Sequence, residues 1–141
     1  MRHLASRCAP AGLMLLLACG GSDTFMPTEE TVAGTYEASA FTLTGFNGTT
    51  DLLLAGATVD VTLAPDGTTS GRLFLPGGDE DGNDLDEDLG GTWTLAGRTV
   101  TFDQGADSFI RDVDFIAGDQ TLTGEGTFDG AAVALQLVRT E

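Results

Sequence analysis

The stretch GTWTLAGRTVTF, residues 91–102, decides the fold. Trp93 and Leu95 share one side of an extended chain, and Thr92 and Thr94 share the other. After Ala96 and Gly97, Val100 and Phe102 alternate in the same way with Thr99 and Thr101. A period of two residues sends successive side chains to opposite faces of a strand, and a glycine between two such runs supplies the turn. The unit reads as an antiparallel hairpin with one apolar face and one wet face.

Working outward, the same grammar covers the chain after residue 31. Ala57, Val59, Val61 and Leu63 alternate with Thr58, Asp60 and Thr62, and Leu73 and Leu75 share a face. Phe109, Val113 and Phe115 oppose Ile110, Asp112 and Asp114; Val133, Leu135 and Leu137 oppose Ala134 and Gln136. Turn chemistry separates the runs: Asn47-Gly48, Pro65-Asp66-Gly67, Ala96-Gly97, 104–106, 117–119, Asp129-Gly130 and a long acidic loop at 77–90. Seven joints separate eight runs. Gly56 marks a bulge or sharp bend in a long second strand. No long 3.6-residue apolar period occurs after residue 25.

Short joints make neighbours in sequence neighbours in space. The expected fold is all-β, an eight-stranded antiparallel up-and-down barrel, whose closure removes exposed edges. A two-sheet β-sandwich is the alternative, but its Greek keys need longer crossovers than these joints offer. Inward candidates pull two ways. Ala38 and Ala40 argue for space inside; Tyr36, Trp93, Phe102, Phe115 and Phe128 argue for filling.

The N-terminus has a different character. Arg2 and Arg7 precede an apolar stretch from Ala9 to Ala18, too short for a membrane-spanning helix, which needs about 20 residues. Residues 1–18 read as a signal peptide. The junction LLAC, Leu16 to Cys19, resembles the bacterial lipobox. That resemblance implies an acylated Cys19 as the mature N-terminus, since the thiolate is the nucleophile that takes the diacylglyceryl group. Gly20 rather than aspartate follows it, which by the enteric resemblance directs the chain to the outer membrane. Residues 19–31 then form the acylated cysteine and a flexible tether, and 32–141 the domain.

The chain of 141 residues carries 22 acids against 6 bases. Loss of the leader leaves four arginines against 22 acids, a net charge of −18. Such a surface repels phosphate backbones and anionic headgroups, which excludes nucleic acid and electrostatic membrane docking as partners. The mature chain holds no histidine, no lysine and, with Cys19 acylated, no free thiol. That removes the commonest general base, Schiff-base chemistry, thiol catalysis and zinc sites, so no enzyme is expected. Asp112 and Asp114, two apart on one strand face at about 7 Å, have the spacing of a hydrolytic carboxylate pair but fall on the outward side.

Two features near the ends carry a family resemblance. Gly34-Thr35-Tyr36 opens the first strand, and Arg139 is in phase with Val133, Leu135 and Leu137 on the last. This pairing is similar to that of the lipocalin superfamily, where a Gly-x-Trp and a late arginine close the barrel base through a cation–π contact. Tyrosine replaces tryptophan here. The repeat GTWTLAGRTV at 91–100 also resembles small lipocalin-like domains of bacterial lipoproteins. The resemblance implies a lipid-anchored binding protein of the cell envelope, holding or carrying a small apolar ligand. Arg111, on the apolar face beside Phe109 and Phe115, is the candidate polar handle. The alternative is an envelope interaction module whose barrel is filled by its own side chains.

The acidic stretch GGDEDGNDLDEDLGG, residues 77–91 and followed by Thr92, fits no register of an EF-hand loop. It reads either as a solvated, self-repelling loop or as an irregular calcium cage of Asp79, Asp81, Asn83 and Glu87. No other cofactor is expected.

Overall fold

The computed structural model describes residues 25–105, 109–128 and 130–141; the leader and Cys19 lie outside the described residues. The elements follow in the order α1 (Glu29–Val32), β1 (Gly34–Gly45), β2 (Gly48–Asp51), β3 (Thr58–Leu63), β4 (Thr68–Leu75) and β5 (Leu85–Asp88). Then come β6 (Gly91–Ala96), β7 (Thr99–Gln104), α2 (Phe109–Asp112), β8 (Phe115–Ala117), β9 (Thr121–Phe128) and β10 (Ala131–Arg139). Strands β1, β3, β4, β6, β7, β8, β9 and β10 pair in turn, all antiparallel, and β10 pairs back onto β1. The sheet is a closed eight-stranded up-and-down barrel, consistent with a lipocalin-like architecture, and not a sandwich.

Tight hairpins with glycine in the turn drive this meander. Gly97 adopts φ 61° between Ala96 and Thr99, and Gly130 adopts φ 80° between Phe128 and Ala131, conformations that L side chains resist. Long β1 carries a register shift between Ala38 and Ala40 against β10. This bulge changes the phase of the strand. Tyr36 and Ala38 face inward below it, Phe41 and Leu43 above it, and Ala40 faces solvent.

The structure corrects four sequence expectations. The second run is not one bent strand. The Asp51 carboxylate accepts from the N–H groups of Leu53 and Leu54 at 3.0 and 3.2 Å, turning the chain, and Gly56 at φ 103° completes that turn. The stretch 77–90 is not all loop, because Leu85, Glu87 and Leu89 alternate as a strand. Leu73 opposes Glu87 and Thr69 opposes Gly91, so β5 and β6 hold one unbroken register along β4. Residues 109–115 are not a strand with Asp112 and Asp114 on one face. Phe109, Ile110 and Val113 are all buried, a spacing that suits a helical turn laid across the barrel, and α2 provides it. Finally, the tether ends earlier than Thr31. Thr28 and Thr31 cap α1 reciprocally, which orders residues 29–32.

The lower barrel is filled. Tyr36, Val61, Leu63, Trp93, Phe102, Phe115, Leu122 and Leu137 are all buried there. Phe102 and Phe115 meet edge to face, with centroids 5.4 Å apart and planes at 84°. Phe115 fits because residue 124 is glycine: a Cβ there would lie 2.7 Å from its ring. The buried Trp93 indole donates to the Ala64 carbonyl at 2.8 Å, which satisfies its polar edge. Midway up the wall, the Leu89 carbonyl accepts from Thr69 Oγ1 at 2.8 Å and from Gln104 Nε2 at 3.0 Å, tying β4 and β7 to the β5–β6 junction.

Candidate functional site

The two ends of the barrel differ. The base, where β1 begins and β10 ends, is shut. Val32 of α1 is buried against it, and the Tyr36 hydroxyl donates to the Val32 carbonyl at 2.6 Å. The Arg139 guanidinium lies 5.5 Å from the Tyr36 ring centroid. It donates to the Ala33 carbonyl at 2.9 Å, to the Tyr36 hydroxyl at 3.1 Å and to the Thr31 carbonyl. One guanidinium thus holds α1 and the two barrel-closing strands together.

The opposite end holds a cavity of about 370 Å³, within the usual span of small-molecule sites. Phe41 and Leu43 reach it from β1, Leu73 and Leu75 from β4, Leu85 from β5 and Val133 from β10. Leu52 enters from the turn after β2, and Phe109 from α2. Phe41 and Phe109 stack with centroids 5.4 Å apart and planes at 30°. Pro76, Gly77, Gly78, Phe128 and Ala131 form the rim. Every one of these side chains lacks an N–H or O–H group, so the lining presents an apolar surface without side-chain donors.

The structure separates the residues singled out as a ligand site. Phe109 lines the cavity. Phe115 belongs to the filled lower barrel and is fully buried below it. Arg111 is not in the lining. It stands on α2 in an ion pair with Asp112 at 3.1 Å, because the helical turn that buries Phe109 and Ile110 carries residue 111 to a half-exposed side. Asp114 accepts weakly from Thr101 Oγ1 at 3.4 Å while Asp112 pairs with Arg111, so the two carboxylates have separate partners. Tyr36 and Arg139 do meet, at the base. Phe128, counted toward filling, is 40% exposed at the rim instead.

The proposed calcium set is not gathered either. Asp79 Oδ1 accepts from the backbone N–H groups of Asp81 and Asn83 at 2.8 and 2.7 Å, and Oδ2 from the Asn83 amide at 3.1 Å. The loop satisfies its own carboxylate. Glu87 lies apart from it on β5. Among the described residues, no group of three or more acidic, histidine or cysteine side chains is placed for a metal.

These hydrogen bonds set a pH dependence. The Asn83 backbone N–H, ahead of its side-chain amide, holds the Asp79 carboxyl below its ordinary 3.8. The Thr68 hydroxyl does the same for Asp66, and Arg72 for Asp86. A folded value below the unfolded one gives stabilisation that is present above 3.8 and lost as pH falls through the lower folded value. Titration of the Asn83 amide by NMR should therefore show a midpoint below 3.8. A midpoint at or above that value would mean the turn does not hold the carboxylate.

Sequence reasoning missed most of the cavity. Leu43, Leu52, Leu75, Leu85 and Val133 are ordinary core-pattern residues. The available signal was the phase change between Tyr36 and Phe41, which the bulge resolves. No protein-family model matches this chain, and no curated protein matches it.

Proposed function

We propose that the protein is a lipid-anchored binding protein of the bacterial cell envelope, attached through Cys19 to the outer membrane, whose barrel holds or carries one small apolar molecule. The observation that supports this is the apolar cavity of about 370 Å³ at the open end, above a packed core and a shut base. An eight-stranded barrel is just wide enough for its own side chains or one small ligand, and this one divides its length between the two. The lipocalin-like reading rests on the closed meander and on the Tyr36–Arg139 pair. The anchor rests on the LLAC junction alone. The role is binding rather than catalysis.

Native mass spectrometry of the chain, purified from membranes in a nonionic detergent, tests both parts. The expected spectrum shows acyl mass on Cys19 and a co-purifying apolar molecule. Leu43→Trp, which fills the cavity from its wall, should remove that molecule and leave the acyl mass. A spectrum without bound molecules, unchanged on adding apolar compounds, would move the chain to the class of filled interaction modules.

A further inference from the structure

We propose that Glu87 is the polar anchor of this cavity, and that the ligand is an amphiphilic organic cation: an amine or ammonium group on an apolar body. The proposal rests on the binding reading above and gives its site a chemical class. Glu87 stands directly opposite Leu73 across the β4–β5 ladder, and Leu85 stands opposite Leu75. Directly opposed residues share a face, with Cβ atoms about 4.5–5.5 Å apart. Leu73 is buried and, like Leu75 and Leu85, lines the cavity. Glu87 therefore falls on the inner face of the wall, next to the lining Leu85 on its own strand and opposite the lining Leu73, at the edge of the lining rather than within it, and it is half-buried there.

Its carboxylate accepts no hydrogen bond and makes no ion pair among the described residues. Asp86 and Asp88, its neighbours on the outer face, behave differently. Asp86 binds Arg72 at 2.6 Å, and Asp88 accepts from the Gly90 N–H at 2.7 Å. A carboxylate drawn partly out of water without a partner is costly, and a cation or strong donor brought by a ligand relieves that cost.

The cavity offers nothing to an anion. Its side chains contain no donor, and the two glycine N–H groups at its rim are taken, Gly77 by Asp84 and Gly78 by the Leu75 carbonyl, each at 3.1 Å. Among the described residues no arginine lines it: Arg72 faces outward to Asp86, and Arg111 pairs with Asp112. Arg98 and Arg139 belong to the other end, where they bond to Ala117 and to the base. The loop from Asp79 to Asp84 adds four carboxylates beside the rim, on a chain of net charge −16. Such a field concentrates cations at the entrance and repels carboxylates.

The test is native mass spectrometry of the full chain in nonionic detergent, titrated with three probes of equal chain length: decylammonium, decanol and decanoate. Decylammonium should bind at least about tenfold more tightly than decanoate. Glu87→Gln keeps the shape of the side chain. It should weaken decylammonium about tenfold while leaving decanol unchanged, which also reports an intact cavity. Glu80→Gln removes the same charge from the exposed loop and should change none of the three. Equal binding of decanoate and decylammonium would overturn the proposal. So would equal effects of Glu87→Gln and Glu80→Gln, which would reduce the preference to a general field. Decanol binding without a preference for the cation would leave the binding reading standing and remove this inference alone. Failure of all three probes would remove both.

Discussion

Phe115→Ala is expected to lower the stability of the barrel by about 3–5 kcal/mol, the range for truncating a fully buried aromatic. Phe115 has no exposed surface. Its ring meets the edge of Phe102, and its other side covers Gly124, where a Cβ would sit 2.7 Å away. The surroundings are poorly able to collapse into the space left behind. Gly124 has no side chain to offer, and the strands on either side are held at fixed spacing by the closed ladder. A domain of this size has only about 5–15 kcal/mol in total, so this one change removes a large share. Equilibrium denaturation by urea measures it directly. Because Phe115 lies outside the cavity lining, the folded fraction should keep the binding proposed for the cavity. A loss below about 1 kcal/mol would mean that the lower barrel repacks freely rather than interlocking.

The second large effect is expected at the shut end. Arg139→Met keeps the length of the side chain and removes its charge and donors. The carbonyls of Thr31 and Ala33 lose their guanidinium partner, and the Tyr36 ring loses its cation. A hydrogen bond from a charged donor contributes about 1.5–3 kcal/mol, and a cation–π contact at a half-exposed site about 0.5–1 kcal/mol. Together the expected loss is about 2–4 kcal/mol. It should couple to Tyr36. In a double-mutant cycle with Tyr36→Leu, the two losses should fall short of additivity by at least about 0.5 kcal/mol. Additive losses would show that the two residues contribute separately and that the base is not closed by their contact. Proteolysis gives a second readout, since α1 should become accessible before the barrel unfolds.

The wall of the barrel was legible because its signal is local. Thr92 to Phe102 reads as a hairpin from alternation and a glycine alone, and the structure pairs Trp93 with Phe102 and Leu95 with Val100. The turns at Asn47-Gly48 and Pro65-Asp66-Gly67, and the one that contains Gly130, fall between paired strands for the same reason. The pairing of Tyr36 with Arg139 was readable from phase and position at the two ends.

The site was much less legible. Alternation at Phe109 to Phe115 gave a strand, and the chain makes a helical turn, because burying three apolar groups across the barrel outweighs a weak local preference. Arg111 changed its role with that turn. Glu87 was placed in a loop because acids surround it, and its inward direction follows only from a register shared with Leu73. The bulge near Ser39 moved Ala40 to the outside, and its one trace in the sequence is that Tyr36 and Phe41 are out of phase for a regular strand.

By itself, then, the sequence determined the strand count of the wall, the meander, the acidity and the lipobox-like junction at Cys19. Each depends on neighbours a few residues apart. Only the tertiary structure decided that the sheet closes, that the lower barrel fills while the upper end holds a cavity, and that Glu87 shares a face with Leu73. Those outcomes depend on how side chains far apart in sequence share a fixed interior volume, and a one-residue slip in any strand exchanges its inner and outer faces.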